Sequence, residues 1–316
     1  MDLFTELVSP SKQHHIFREL AFSEDYEPAR KIIEQLLNHF VIKEKKFVQQ
    51  FQLKPSFHHR LWELYLYSYL SSKNEREIII KSISPDICIC ENQFTYYIEA
   101  TTLNIPEGSA ESIDEVYLLK KYKKTLKKKM EKKYWDLPEI RGKPLILAIH
   151  DYTLNESLGN TPFHLTNWLY PNKNQKTYLD FFDWSNASFI SGILVSGQAT
   201  VPKFNRMGIL AGYGNNRIKG LRIRQKLKFL NNDEGKLTIS QEPPEATELE
   251  DPSYIESWSE GIVFFHNPYA LHPIYPPNLG DITHIRKLKN GQVMIHPTGQ
   301  EVINSETWFF KAVDKI

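Results

Sequence analysis

Between Ile78 and Thr101 the chain carries three short runs of β-branched, aromatic and small apolar residues, and few folds other than a sheet can use such a segment. The runs are Ile78 to Ile83, Asp86 to Cys90 and Phe94 to Thr101. A two-residue turn at Asn92-Gln93 would pair Glu91 with Phe94, Cys88 with Tyr97 and Asp86 with Glu99. Around these strands the hydrophobic period changes to that of a helix. Apolar residues at helical spacing mark helices between His14 and Phe51, with Pro28 able to open the second, and again along Arg60 to Leu70. A lysine-rich helix is predicted from Asp114 to Tyr134, and Leu145 to Ile149 reads as a fully buried strand. The expectation is an α/β fold: a mixed sheet flanked by helices, with an N-terminal helical layer and a C-terminal extension.

The predicted divisions are 1–54 for the helical layer, 55–151 for the core and 152–316 for a segment that completes or elaborates it. In that last part Phe189 to Val195 and Ile262 to Phe265 read as strands, Glu242 to Pro252 as a loop, and the glycines from Gly208 to Gly220 as a mobile loop without phosphate-loop spacing. The 316 residues carry 39 Lys+Arg against 38 Asp+Glu, so a site for a polyanion has to be local rather than global. Cys88 and Cys90 are the two cysteines, and lying two apart in one apolar run they do not form a disulfide framework. The first residues lack a targeting pattern, and no window approaches the roughly 20 apolar residues that cross a bilayer. A cytoplasmic protein without a membrane partner is expected.

The chemistry-bearing segment is Pro85-Asp86, twelve intervening residues, and Glu99-Ala100-Thr101. In the register above the two carboxylates stand opposite each other, about 4.5 to 5.5 Å apart at Cβ, where like charges repel unless a cation lies between them. Oxygen ligands on a short hairpin suit Mg²⁺ or Mn²⁺. Thr101 shares the strand face of Glu99 and is placed to hydrogen-bond a water on that cation. Glu63 interrupts an aromatic and aliphatic helical run, so it either faces solvent or is buried with a partner.

Glu63 on a leading helix, Pro85-Asp86 on one strand and Glu99-Ala100-Thr101 on the next resemble the PD-(D/E)XK nuclease superfamily, over about Pro55 to Asp151. The resemblance implies a restriction endonuclease-like fold, a metal-dependent nuclease acting on nucleic acid, DNA before RNA, in defence or DNA processing, and metal roles for Glu63, Asp86 and Glu99. Thr101 stands where that motif has lysine. Some family members carry the lysine on the next helix, and Lys129 lies on or beside the inward face formed by Leu118, Leu119, Tyr122, Leu126 and Met130. Lys129 is therefore the candidate for the displaced lysine, with Lys133 in reserve.

The nine lysines from Lys120 to Lys133 also supply local positive charge for phosphates, or else form a solvated face. A second basic stretch, Arg217, Lys219, Arg222, Arg224, Lys226 and Lys228, would extend that track if its strand face is exposed. His58-His59, His150-Asp151 and His266 lack metal-spaced partners in sequence, which argues against zinc. Two other readings stay open: an inactive nuclease-fold module that binds nucleic acid or protein, and a hydrolase of nucleotides or other phosphate esters. A homodimer or a regulatory protein partner is compatible with all of them.

Overall fold

The computed structural model describes residues 2–39, 45–72, 76–80, 84–104, 114–152, 161–171, 179–214, 218–231, 237–298 and 301–311. In chain order the elements are α1 (His15–Phe22), α2 (Glu27–His39), α3 (Lys45–Gln52), α4 (Phe57–Ser71), β1 (Glu77–Ile80), β2 (Ile87–Glu91), β3 (Phe94–Leu103), α5 (Glu115–Met130), β4 (Leu145–Asp151), α6 (Thr161–Leu169), β5 (Gly192–Ser196), α7 (Val201–Leu210), β6 (Ile218–Asn231), β7 (Leu237–Gln241), β8 (Glu245–Glu248), β9 (Ile262–His266), α8 (Pro276–Leu279), β10 (Thr283–Lys287), β11 (Val293–His296) and β12 (Val302–Lys311). The fold is α/β, with a mixed sheet flanked by helices.

Two compact units share the chain. The first is Met1–Ser72, Gln198–Glu260 and Val302–Ile316; the second is Lys73–Gly197 and Gly261–Glu301. This partition differs from the linear division at 54 and 151, because the chain leaves the first unit after α4 and re-enters it twice. Local hydrophobic period carries no information about such returns.

The second unit is built on an eight-stranded sheet of order β1-β2-β3-β4-β5-β9-β10-β11. β3, β4 and β5 run parallel, β1, β2 and β3 form an antiparallel meander, and β9 pairs antiparallel with β5 and parallel with β10. Every residue of β4 is buried, which is why residues 145–149 are a continuous apolar run rather than an alternation. Tyr122 and Leu126 of α5 pack into a core with Tyr97, Leu147, Ile149, Trp168 and Phe265. The helix starts where Asp114 accepts the Tyr117 N–H at 2.7 Å, and its exit is marked by Lys133 at φ 48°. Phe189 belongs to a short 3-10 turn, so β5 starts only at Gly192.

Gly192 sits where no side chain fits. An added Cβ would lie 2.4 Å from the Phe265 carbonyl oxygen and 2.4 Å from the Phe264 ring. Gly192→Ala is expected to destabilise the protein by about 1–3 kcal/mol, read as an earlier urea midpoint at unchanged slope. An unshifted midpoint would show that β5 and β9 separate at no cost.

The first unit combines α1–α4 and α7 with a four-stranded sheet in which β6 pairs with β12, β7 and β8. Gly208 lies within α7, where a Cβ would fall 2.2 Å from the Pro28 carbonyl oxygen of α2, and Asn205 Oδ1 accepts the Ala29 N–H at 3.0 Å. The expected loop from Gly208 to Gly220 is thus partly helix and partly strand: Gly208 is small because α2 crosses there, and Gly220 because Leu249 covers it. The expected loop from Glu242 to Pro252 likewise contains β8, whose acidic residues pair with basic β6. Among the described residues no helix is long and apolar enough to cross a membrane.

Candidate metal centre

The β2–β3 hairpin turns on Asn92 and Gln93, both with positive φ (47° and 68°), as a two-residue type I′ connection requires. Its ladder runs from Glu91↔Phe94 to Ile87↔Ile98, the expected register, and by extension Asp86 falls opposite Glu99. Asp86 itself lies just outside β2 and turns its carboxylate onto the backbone, Oδ2 accepting the Ala100 N–H at 2.8 Å. Glu99 is 3 % exposed. Its Oε1 accepts from Lys129 Nζ at 2.6 Å and from the Tyr134 hydroxyl at 2.6 Å, and Lys129 Nζ also donates to the Ala100 carbonyl at 2.8 Å. The opposed carboxylates are therefore relieved by protein donors, a point that the pairing register does not reveal.

One feature leaves a place for a cation. Glu99 Oε2 is buried without a hydrogen-bond partner among the described residues, and a carboxylate oxygen kept from water in that way is costly unless something meets it. Asp86 stands close enough that its charge, after burial and the Glu99 charge, helps raise the Tyr134 hydroxyl far above the ordinary tyrosine range. Tyr134 thus stays a donor. A buried carboxylate oxygen without a donor, on the strand paired with the one that Asp86 precedes, is the kind of ligand a hard divalent ion such as Mg²⁺ or Mn²⁺ takes.

α5 presents Lys129 because Tyr122 and Leu126 anchor its inward face, and Lys129 lies three residues beyond Leu126. Its side chain is 18 % exposed, whereas Lys120, Lys123, Lys124, Lys127, Lys128 and Lys132 point to solvent. Lys133, the reserve candidate, is also exposed. Thr101 is half-buried on the face that alternation shares with Glu99. Sequence pattern by itself does not single out Tyr134. The available signal was its position at the end of a helix that carries Lys129 on its inward face.

Glu63 lies in the first unit, on α4, and is buried rather than solvated. His59 Nε2 approaches its Oε1 to 3.1 Å and Arg60 Nη1 its Oε2 to 2.5 Å. Burial alone would raise the Glu63 carboxyl, yet His59 and Arg60 outweigh it and hold the group below the usual glutamate range. Arg60 is fixed in turn by Gln50 and by the Phe47 ring beneath it.

The second basic stretch does not extend a phosphate track. Arg222 and Arg224 are buried, Arg222 between Glu256 and Glu260, while Lys219 and Lys226 lie within 4.0 Å of Glu250 and Glu245. Strand alternation allowed either face to be inward, and acidic partners far along the chain decided it. Arg217 lies outside the described residues. Asp151 accepts the hydroxyl of buried Tyr122 at 2.8 Å, and His150 packs on the Tyr152 ring, so that pair is taken up in the core. His266 meets His284 at 3.0 Å; burial first, then the neighbouring positive groups, lower His266 to about 3, and both rings are neutral at pH 7. Compared with known proteins, the chain matches no family model, no curated protein and no solved structure at a significant level.

Proposed function

We propose that this chain is a metal-dependent nuclease with a restriction endonuclease-like core, hydrolysing phosphodiester bonds of DNA. The observation that carries the reading is Lys129 Nζ on Glu99 Oε1, 2.6 Å away, in a motif that has threonine at position 101. A lysine displaced to the following helix reaches the carboxylate that the strand lysine would have accompanied. Asp86 and Glu99 are the residues that would hold Mg²⁺ or Mn²⁺. When bound, such an ion neutralises charge on the phosphate and supplies a nucleophilic oxygen at neutral pH.

The rest is done by side chains. Lys129, on a flexible stem, can move its ammonium from Glu99 towards a phosphate oxygen as negative charge grows there. Thr101 can orient water from the same strand face. The exposed lysines of α5 give backbone contacts that weaken with salt and read little sequence. Glu63 is paired with His59 and Arg60 on its own helix, and no step here is assigned to it. The Lys129–Glu99 pair also suits a second reading, a binding module in which the ammonium has taken the place of the ion.

Cleavage of plasmid and single-stranded DNA with Mg²⁺, Mn²⁺ or EDTA tests the proposal. Metal-dependent cutting is expected, and Lys129→Met should slow it about 100-fold while Mn²⁺ binding persists. If no substrate is cut and calorimetry finds no Mn²⁺ binding, the catalytic reading is wrong and the binding module stands.

A further inference from the structure

We propose that Tyr134 is a positioning residue: its hydroxyl ties down Glu99 Oε1 so that Oε2 is presented to the cation. The inference rests on the metal-site reading above. Both donors to Glu99, Lys129 Nζ and the Tyr134 hydroxyl, converge on the same oxygen, and the other oxygen is buried with no partner among the described residues. Two donors on one atom fix the plane of a carboxylate. A half-turn merely exchanges equivalent oxygens, so one is always held and one always offered.

The two donors are not equivalent. Lys129 reaches Glu99 on a flexible aliphatic stem, and in the proposed reaction its ammonium leaves for the phosphate. Tyr134 has no such freedom. Its ring is buried in the core of the second unit, just past the left-handed Lys133 that ends the turn after α5. The next residue, Trp135, is stacked on Phe189 with ring centroids 5.2 Å apart, which anchors the segment further. Tyr134 therefore keeps Glu99 in place at the moment Lys129 lets go. Groups that orient a metal-binding carboxylate from behind commonly change metal affinity by about 10- to 100-fold when removed.

Tyr134→Phe removes the donor and keeps the ring. Calorimetry with Mn²⁺ on the full chain is expected to show a dissociation constant raised about 10-fold, with the metal-free thermal midpoint little changed. In cleavage assays kcat should fall while KM for DNA is retained. Replacing Tyr134 by p-aminophenylalanine, which keeps a para donor on the same ring, should restore Mn²⁺ affinity to within about threefold, and this variant also serves if the Phe protein does not fold. In a Lys129→Met background the loss of the hydroxyl should cost more than it does alone, because Glu99 then has no donor left. If the natural chain binds Mn²⁺ and the Phe variant binds it equally well, the positioning role is wrong and the metal site stands. If the natural chain binds no Mn²⁺, the metal site fails and the inference falls with it.

Discussion

In the nuclease proposed for this chain, Glu99→Gln is expected to lower metal-dependent DNA cleavage by about 1000-fold or more and leave the chain folded. The argument lies in which atom the amide must offer. Glu99 Oε1 accepts from both Lys129 and Tyr134. A glutamine can satisfy those two donors only with its carbonyl oxygen, which turns its NH₂ group to the position of Oε2. An NH₂ group is a donor and cannot ligate a cation. Asp86→Asn keeps a carbonyl oxygen for the Ala100 N–H, which Asp86 Oδ2 accepts at 2.8 Å in the natural chain, but removes the charge that a divalent ion would meet there, and the same loss is expected. Single-turnover cleavage over a range of Mn²⁺ concentrations, with calorimetry on the same samples, checks both. Cleavage within about tenfold of the natural protein for either variant would show that the reaction does not use this hairpin.

The hairpin was legible because its constraints are local. Asn92 tolerates positive φ, and with a two-residue turn the register follows by counting, which sets Asp86 opposite Glu99 on sequence grounds alone. Lys129 was legible for the same reason, since helical period alone puts it beside Leu126. The relief of the two carboxylates was not, because the Ala100 N–H is backbone and Tyr134 lies beyond the end of α5, where helical period no longer says which way a side chain faces. Distance in sequence hid the rest. Arg222 and Glu256 are 34 residues apart, and nothing in an alternating basic strand says that its arginines face inward. Gly208 faces Pro28 across a far longer gap, so a residue that marks a helix crossing looked like part of a loop.

Glu256→Ala is expected to cost about 3–5 kcal/mol of stability, the largest loss foreseen for a single side chain of the first unit. Lys203 Nζ lies 2.6 Å from the Glu256 carboxylate, Arg206 Nε 3.0 Å and Arg222 Nη1 3.2 Å, and none of these side chains is more than 1 % exposed. Tyr254 donates a further hydrogen bond to Oε2. Burial would raise the Glu256 carboxyl, but Arg206, Lys203 and Arg222 together hold it well below the ordinary glutamate range. Its contribution is therefore full above the ordinary glutamate pKa of about 4.5 and is lost as pH falls through the lower folded value. Without Glu256, three cations remain buried. Arg222 keeps Glu260 at 2.5 Å, but Lys203 is left with the Ser257 carbonyl and Arg206 with the Thr307 hydroxyl, neither of which carries charge. Urea denaturation at pH 7 measures the loss, with Glu24→Ala as control. Glu24 pairs with Lys311 at 2.7 Å, but both are exposed, so its removal should leave the midpoint where it was. Adding Arg206→Met to Glu256→Ala removes one orphaned cation and should recover part of the loss, because the penalty comes from the charges left behind rather than from the ion pairs themselves. A double variant weaker than Glu256→Ala alone would instead assign the stability to Arg206's own contacts, the Thr307 bond above all.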